Sequence, residues 1–206
     1  VSGAPPAGEG EGSAYLRATP VVDWHAPAVL ALARELAAGA AGPVEVARRC
    51  FEHVRDRLRH SVDAGDEQVT CAASEVLAAG TGLCFAKSHL LVALLRASGL
   101  KAGFSYQRLA NRNGTFSLHG LAAVDLPGVG WYRLDPRGNK LWLDARFDPP
   151  HERLAYAATG PGEWDSRSVW AEPLPEVIAA LRAPGSVSDV VAHLPDHPVP
   201  PEPARS

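Results

Sequence analysis

Apolar positions change their spacing near residue 100, and the change divides a helical first half from a strand-rich second half. Residues 27–38 put Leu30, Ala33, Leu36 and Ala37 on one side, and residues 43–58 do the same with Ala47, Cys50, Phe51, Val54 and Leu58. That three-to-four-residue rhythm belongs to a helix with one buried face. Pro43 suits a first helical turn, where its missing N–H costs no intrahelical bond. A shorter helix is predicted over 71–79, starting from a Thr70 cap and stopping at Gly80. In 84–98 the residues Leu90, Leu91, Leu94 and Leu95 cover most of the circumference, which predicts a central, buried helix. Gly99 followed by Leu100 is its stop signal.

Beyond Gly99 the pattern predicts strands over 102–109, 116–125, 131–135 and 141–147, with turn residues between them. A last helix, 174–182, follows Pro173. Helices first and adjacent strands second indicate an α+β fold, with a mostly antiparallel sheet packed on the central helix. One domain over 14–185 accommodates these elements. Residues 1–13 are small, polar and rich in Pro and Gly, and are expected to be disordered. Residues 186–206 read as a Pro-rich tail, and the five prolines of 195–206 predict an extended or mobile end.

Composition removes whole classes of function. The chain has 206 residues, 46% hydrophobic and 21% charged, with a formal net charge of −3. No basic face is implied, so nucleic acid is not an expected partner; Arg57 to His60 (RLRH) read as the solvated end of a helix. Nothing approaches the roughly 18 consecutive apolar residues of a membrane span, and the N-terminal stretch lacks a signal's basic and apolar regions. Three widely spaced cysteines make no disulfide framework. Cys50, Cys71 and Cys84 are therefore expected as free thiols in a reducing cytoplasm, Cys50 as core by its helical position. The Ala, Gly, Pro and Arg content points to a GC-rich bacterial genome.

Chemistry concentrates in TGLCFAKSH (81–89). Gly82 permits a tight turn, and Cys84 falls on the first turn of the buried helix. Unsatisfied N–H groups and the positive end of the dipole favour a thiolate there, and the same groups can hold an oxyanion. A buried structural cysteine is the competing reading. FSLHGLAAVD (116–125) and WYRLD (131–135) form a hairpin through LPGVG. If its symmetry centre is Pro127, His119 faces Asp135, and a slip of two residues keeps both on one face. A base and a carboxylate then become neighbours, as a Cys–His–Asp system requires. An ordinary surface His–Asp pair has the same signature.

The segments GLCFAKSHLLVALLRASGL (82–100), GFSYQRL (103–109), LHGLAAVDL (118–126) and WYRLDPRGNK (131–140) resemble the core of the transglutaminase-like superfamily over roughly 45–170. That resemblance implies a papain-like α+β fold with Cys on the central helix, then His and Asp on successive strands. The matching residues are Cys84, His119 and Asp135.

Gln107 and Asn139 lie in the matching segments and are candidates for hydrogen bonds to the oxyanion or the triad, with plain strand-end polar residues as the alternative. Trp131 and Trp142 are candidates for a substrate platform, although they and Trp164 also fit a core or rim. His89 is about 140° around the helix from Cys84 and does not share its face. No close Cys or His pair anchors a metal, so neither metal nor cofactor is expected. The implied step is thiolate attack on a carbonyl, giving an acyl thioester on Cys84. Water as acceptor would make an amidase or protease, and an amine would make a transglutaminase or amide synthase. The resemblance also includes small Dieckmann cyclases of antibiotic pathways, which release a carrier-bound β-ketoacyl-aminoacyl thioester as a tetramic acid. The acidic chain, with no export signal in view, argues against a secreted protease, and the cyclase is the favoured reading. Its partner is an acyl substrate tethered to a carrier protein. A papain-like shell used only for binding is the reading of another class.

Overall fold

In the computed structural model, which describes residues 11–202, the first half is helical. A 3-10 turn, Glu11–Leu16, precedes α1 (Pro27–Ala37), α2 (Pro43–Arg57), α3 (Ser61–Ala64), α4 (Ala73–Ala79) and α5 (Cys84–Ala97). Strands β1 (Arg59–His60) and β2 (Thr81–Gly82) flank α3 and α4 and pair in parallel. Then follow β3 (Ala102–Ala110), β4 (Phe116–Leu126), β5 (Gly130–Leu134), β6 (Trp164–Asp165), α6 (Pro175–Arg182) and α7 (Val187–Ala192).

The apolar helix α5 is the centre of the molecule. Leu90, Leu91, Leu94 and Leu95 are fully buried, and α1, α2, α4, β3 and β4 all pack on it. The main sheet has the order β5-β4-β3-β6, antiparallel throughout. This is the α+β arrangement anticipated from the spacing change. The α2 residues Ala47, Cys50, Phe51 and Val54, with Leu58 at its C-terminal cap, all enter the core. In α1 the buried face is centred on Val29 and Ala33 instead of Leu30 and Ala37. Among the described residues, no helix is long and apolar enough to cross a membrane.

Local expectations fail where a side chain takes over backbone groups. Thr70 does not cap α4; its hydroxyl donates to the Thr81 carbonyl at 3.1 Å. The α4 start is held instead by Glu75, which accepts from the N–H groups of Cys71 and Ala72, and by Asp23, which accepts from Ser74. Residues 141–147 do not form a strand. The Asn139 amide binds both the N–H and the carbonyl of Ala145, at 2.7 and 3.1 Å. That closure bends the segment and occupies groups a ladder would use, leaving isolated bridges at Lys140–Leu143 and Arg146–Arg153.

The stretch read as a tail carries α7, capped by Ser186, which accepts from the Asp189 N–H. Its end is tied to the sheet: the Leu118 N–H donates to the Pro195 carbonyl at 2.8 Å, Arg108 pairs with Asp196, and the Trp164 indole donates to the His197 carbonyl. Residues 11–13 belong to the 3-10 turn, whereas 1–10 and 203–206, parts of the two stretches expected to lack structure, lie outside the described residues.

Candidate active site

Cys84 is the first residue of α5, half-buried, with Leu83 at the cap position. The first intrahelical bond of this turn runs from the Lys87 N–H to the Leu83 carbonyl, so the N–H groups of Cys84, Phe85 and Ala86 precede the ladder and stay free of it. Strand β4 crosses over this turn at Gly120. A Cβ there would lie 2.5 Å from the Phe85 ring, so only glycine allows the strand this close. His119, its neighbour, comes down beside the thiol.

The His119 Nε2 binds Asp135 Oδ2 at 2.8 Å, which leaves Nδ1 for the sulfur. Asp135 is fully buried and also accepts from the N–H groups of Ala155 and Arg137, at 3.1 and 3.2 Å. The Tyr156 and His119 rings meet nearly at right angles, centroids 4.9 Å apart. The pairing of β4 with β5 differs from the assumed one. Ala122 faces Leu134 and Leu126 faces Gly130, so the hairpin is centred on Gly128. Gly128, with φ +75°, makes the turn that closes with the Val129 N–H to Leu126 carbonyl bond. His119 and Asp135 are therefore displaced by two positions, on the same face, and meet diagonally.

Burial opposes ionisation of the Cys84 thiol. The charge and hydrogen bond of His119, then those of His60, outweigh it and bring the pKa down to about 6. Burial likewise disfavours the His119 imidazolium, but Asp135 and Cys84 hold its pKa well above the usual range. Asp135 is kept low despite burial by His119 and the two backbone donors. These shifts favour a thiolate–imidazolium pair with a buried carboxylate behind it. Burial pushes Cys50 up to about 12 and Cys71 up to about 11.

The other candidates are placed differently. Gln107, buried and opposite His119 in the ladder, donates its amide N–H to the Tyr156 carbonyl at 3.2 Å. Its Oε1 is buried without a hydrogen-bond partner among the described residues. Asn139 is spent on Ala145, away from the thiol. Trp131 leans on Tyr15, and Trp142 is 83% exposed. His89 bonds the Cys71 carbonyl through Nδ1, on another face of α5. Gly82 makes no tight turn; it lies in β2, where a Cβ would crowd Ala86 and Thr70.

Sequence reading missed two residues. His60, read as part of a solvated helix end, pairs with Gly82 in the β1–β2 ladder and stands beside Cys84. The distant parallel pairing that places it leaves no local pattern; the histidine three residues before Asp63 was the available signal. Lys87 is fully buried, and its ammonium donates to the carbonyls of Leu58, Arg137 and Arg55 at 2.6, 2.9 and 3.4 Å. It thus clamps the chain just before His60 and just after Asp135. Its apolar helix context concealed that role.

Cys84, His119 and His60 open into a groove of about 430 Å³, whose walls include Leu109, Leu118, Val191 and Leu194. Tyr156 separates this groove from a cavity of about 670 Å³ lined by Gln107, Arg133, Glu152 and Asp165 among others.

Residues 30–136, just over half of the chain, match the transglutaminase-like superfamily. The chain belongs to that superfamily. Among solved structures it is similar to a candidate cysteine protease from Cytophaga hutchinsonii, with 16% identity, a TM-score of 0.51, and coverage of 63% of this chain and 43% of that one. The periplasmic domain of TgpA from Pseudomonas aeruginosa aligns with 20% identity and a TM-score of 0.45, covering 59% of this chain and 45% of that one. This chain thus spans less than half the length of either. No curated protein matches it in sequence.

Proposed function

We propose that this protein is an acyl-transfer enzyme that carries its acyl group as a thioester on Cys84. The observation that supports it is the His119–Asp135 hydrogen bond beside a thiol lowered to about 6 at a helix start. The thiolate attacks a substrate thioester, and the leaving thiol takes its proton from His119. Asp135 holds the imidazole in the orientation both transfers need.

The specific reading is a Dieckmann cyclase acting on a carrier-bound β-ketoacyl-aminoacyl thioester. His119 then removes a proton from the carbon between the two carbonyls. The carbanion attacks the Cys84 thioester, a five-membered ring closes and the thiolate leaves. The apolar groove walls, Leu109 and Leu118 from the sheet and Val191 and Leu194 from the C-terminal segment, suit a folded acyl chain and limit water. The free thiols Cys50, Cys71 and Cys84 suit a reducing, cytoplasmic setting.

Transfer to water or an amine is the second reading, favoured by the polar cavity beyond Tyr156, which offers an acceptor its own approach. One experiment separates them. The enzyme is given an N-acetylcysteamine thioester of a β-ketoacyl amino acid, and the products are weighed by mass spectrometry. Cyclisation releases a product lighter than the free acid by one water. Free acid alone, or an amine adduct, would retire the cyclase reading and leave the acyl-Cys84 chemistry standing.

A further inference from the structure

His60 stands in the Cys84 groove with its side chain only 10% exposed. Its placement is built from both sides. The β1–β2 ladder sets it against Gly82, two residues before the cysteine. Lys87 holds the Leu58 carbonyl on one flank, and the Ser61 and Thr81 hydroxyls meet at 3.2 Å on the other. The imidazole's own contact is with the Cys84 thiol, whose ionisation it favours. Its Nδ1 is buried without a hydrogen-bond partner among the described residues. The Asp63 carboxylate is 3.8 Å away and already paired with Arg137 and Lys140. A histidine kept only for packing would have its ring nitrogens satisfied.

The amide side chains of Asn139 and Gln107 each hold a backbone carbonyl, of Ala145 and of Tyr156, and neither lines the Cys84 groove. We propose that His60 is a catalytic residue, presenting an N–H to the oxygen that takes negative charge when the Cys84 thiolate adds to a carbonyl. The S–C bond forms, the carbonyl π pair moves onto oxygen, and His60 donates a hydrogen bond while keeping its proton. Collapse restores the carbonyl and expels the leaving group, which is protonated by His119. Free N–H groups at the start of α5 supply the second donor of such a site. This inference rests on the acyl-thioester reading.

The test compares two reactions of the same thiol at pH 9. Iodoacetamide alkylation displaces iodide at a saturated carbon and forms no oxyanion, whereas acylation by an N-acetylcysteamine β-ketoacyl thioester does. In His60→Phe, acylation should fall roughly 10²–10³-fold, the usual loss for one oxyanion donor, with alkylation within about 3-fold of wild type. His60→Gln keeps an N–H and should recover at least about tenfold of that loss, which also guards against a fold defect in the phenylalanine variant. Acylation that is unchanged, or that falls in parallel with alkylation, would overturn the role of His60. Failure of the wild-type protein to acylate at all, with alkylation normal, would instead remove the acyl-thioester reading, and this inference with it.

Discussion

Gly120 lies so close to Phe85 that a Cβ on it would sit 2.5 Å from a ring carbon and 3.2 Å from the Phe85 backbone. The contact fixes the distance between β4, which carries His119, and the first turn of α5, which carries Cys84. The Ser88 hydroxyl adds a bond to the Gly120 carbonyl at 3.3 Å. Gly120→Ala should therefore push the strand off the helix, at a cost of about 1–3 kcal/mol for the overpacking. Urea unfolding measures that loss. The same variant should lose more of its Cys84 reactivity than a comparably destabilised mutant far from the site, because the histidine moves with the strand.

Thiol selectivity follows from the three cysteine environments. Cys84 ionises near pH 6, whereas burial holds Cys50 near 12 and Cys71 near 11. At pH 7 Cys84 is mostly thiolate and the other two are not. Brief iodoacetamide treatment followed by peptide mapping should find label on Cys84 first. Faster labelling of Cys50 or Cys71 would contradict the electrostatics described for the site.

The carboxylate acts through the imidazole, which gives its removal a definite sign. Asp135→Asn takes away the charge that holds His119 protonated, so the imidazolium pKa falls. The thiol then loses the cation beside it, and its pKa rises from about 6 towards the ordinary thiol value near 8.5. The pH profile of Cys84 alkylation should shift upward accordingly. Turnover should fall by roughly 10⁴-fold, as in the serine-protease analogue. A profile that stayed at pH 6 would mean that His119 does not depend on Asp135.

Lys87 offers a test of how the site is held rather than how it reacts. Burial, with the Arg137 charge added, pulls its ammonium down to about 7, against the favourable Asp135, Asp56 and Asp63 charges. Lys87→Met keeps the bulk but leaves the Leu58 and Arg137 carbonyls unpaired in the interior. Each unsatisfied group costs about 1–3 kcal/mol, so thermal and urea midpoints should drop clearly. The chain ends leading to His60 and Asp135 are then no longer clamped, and activity should fall beyond what the stability loss alone explains.

How much of this was legible depended on the range of the interaction. The helical spacing of α2, the all-round apolarity of α5 and the change of pattern at Gly99 come from contiguous residues, and the structure follows them. Residues 141–147 show where that fails. The apolar alternation was there, but a single Asn139–Ala145 contact bends the chain before a ladder can form.

By itself the sequence determined the α+β layering, the burial of α5 and the family, because each is written in local periodicity or in motifs of adjacent residues. It also put His119 and Asp135 on one face, since a register slip of two preserves the face. Only the tertiary structure decided that the hairpin turns at Gly128, because turn geometry selects between registers the hydrophobic pattern leaves equal. It alone brought His60 to Cys84, across 24 residues and through a two-residue parallel pair. Contacts of that kind depend on where two separate segments are docked by the core, and no spacing within either segment encodes them.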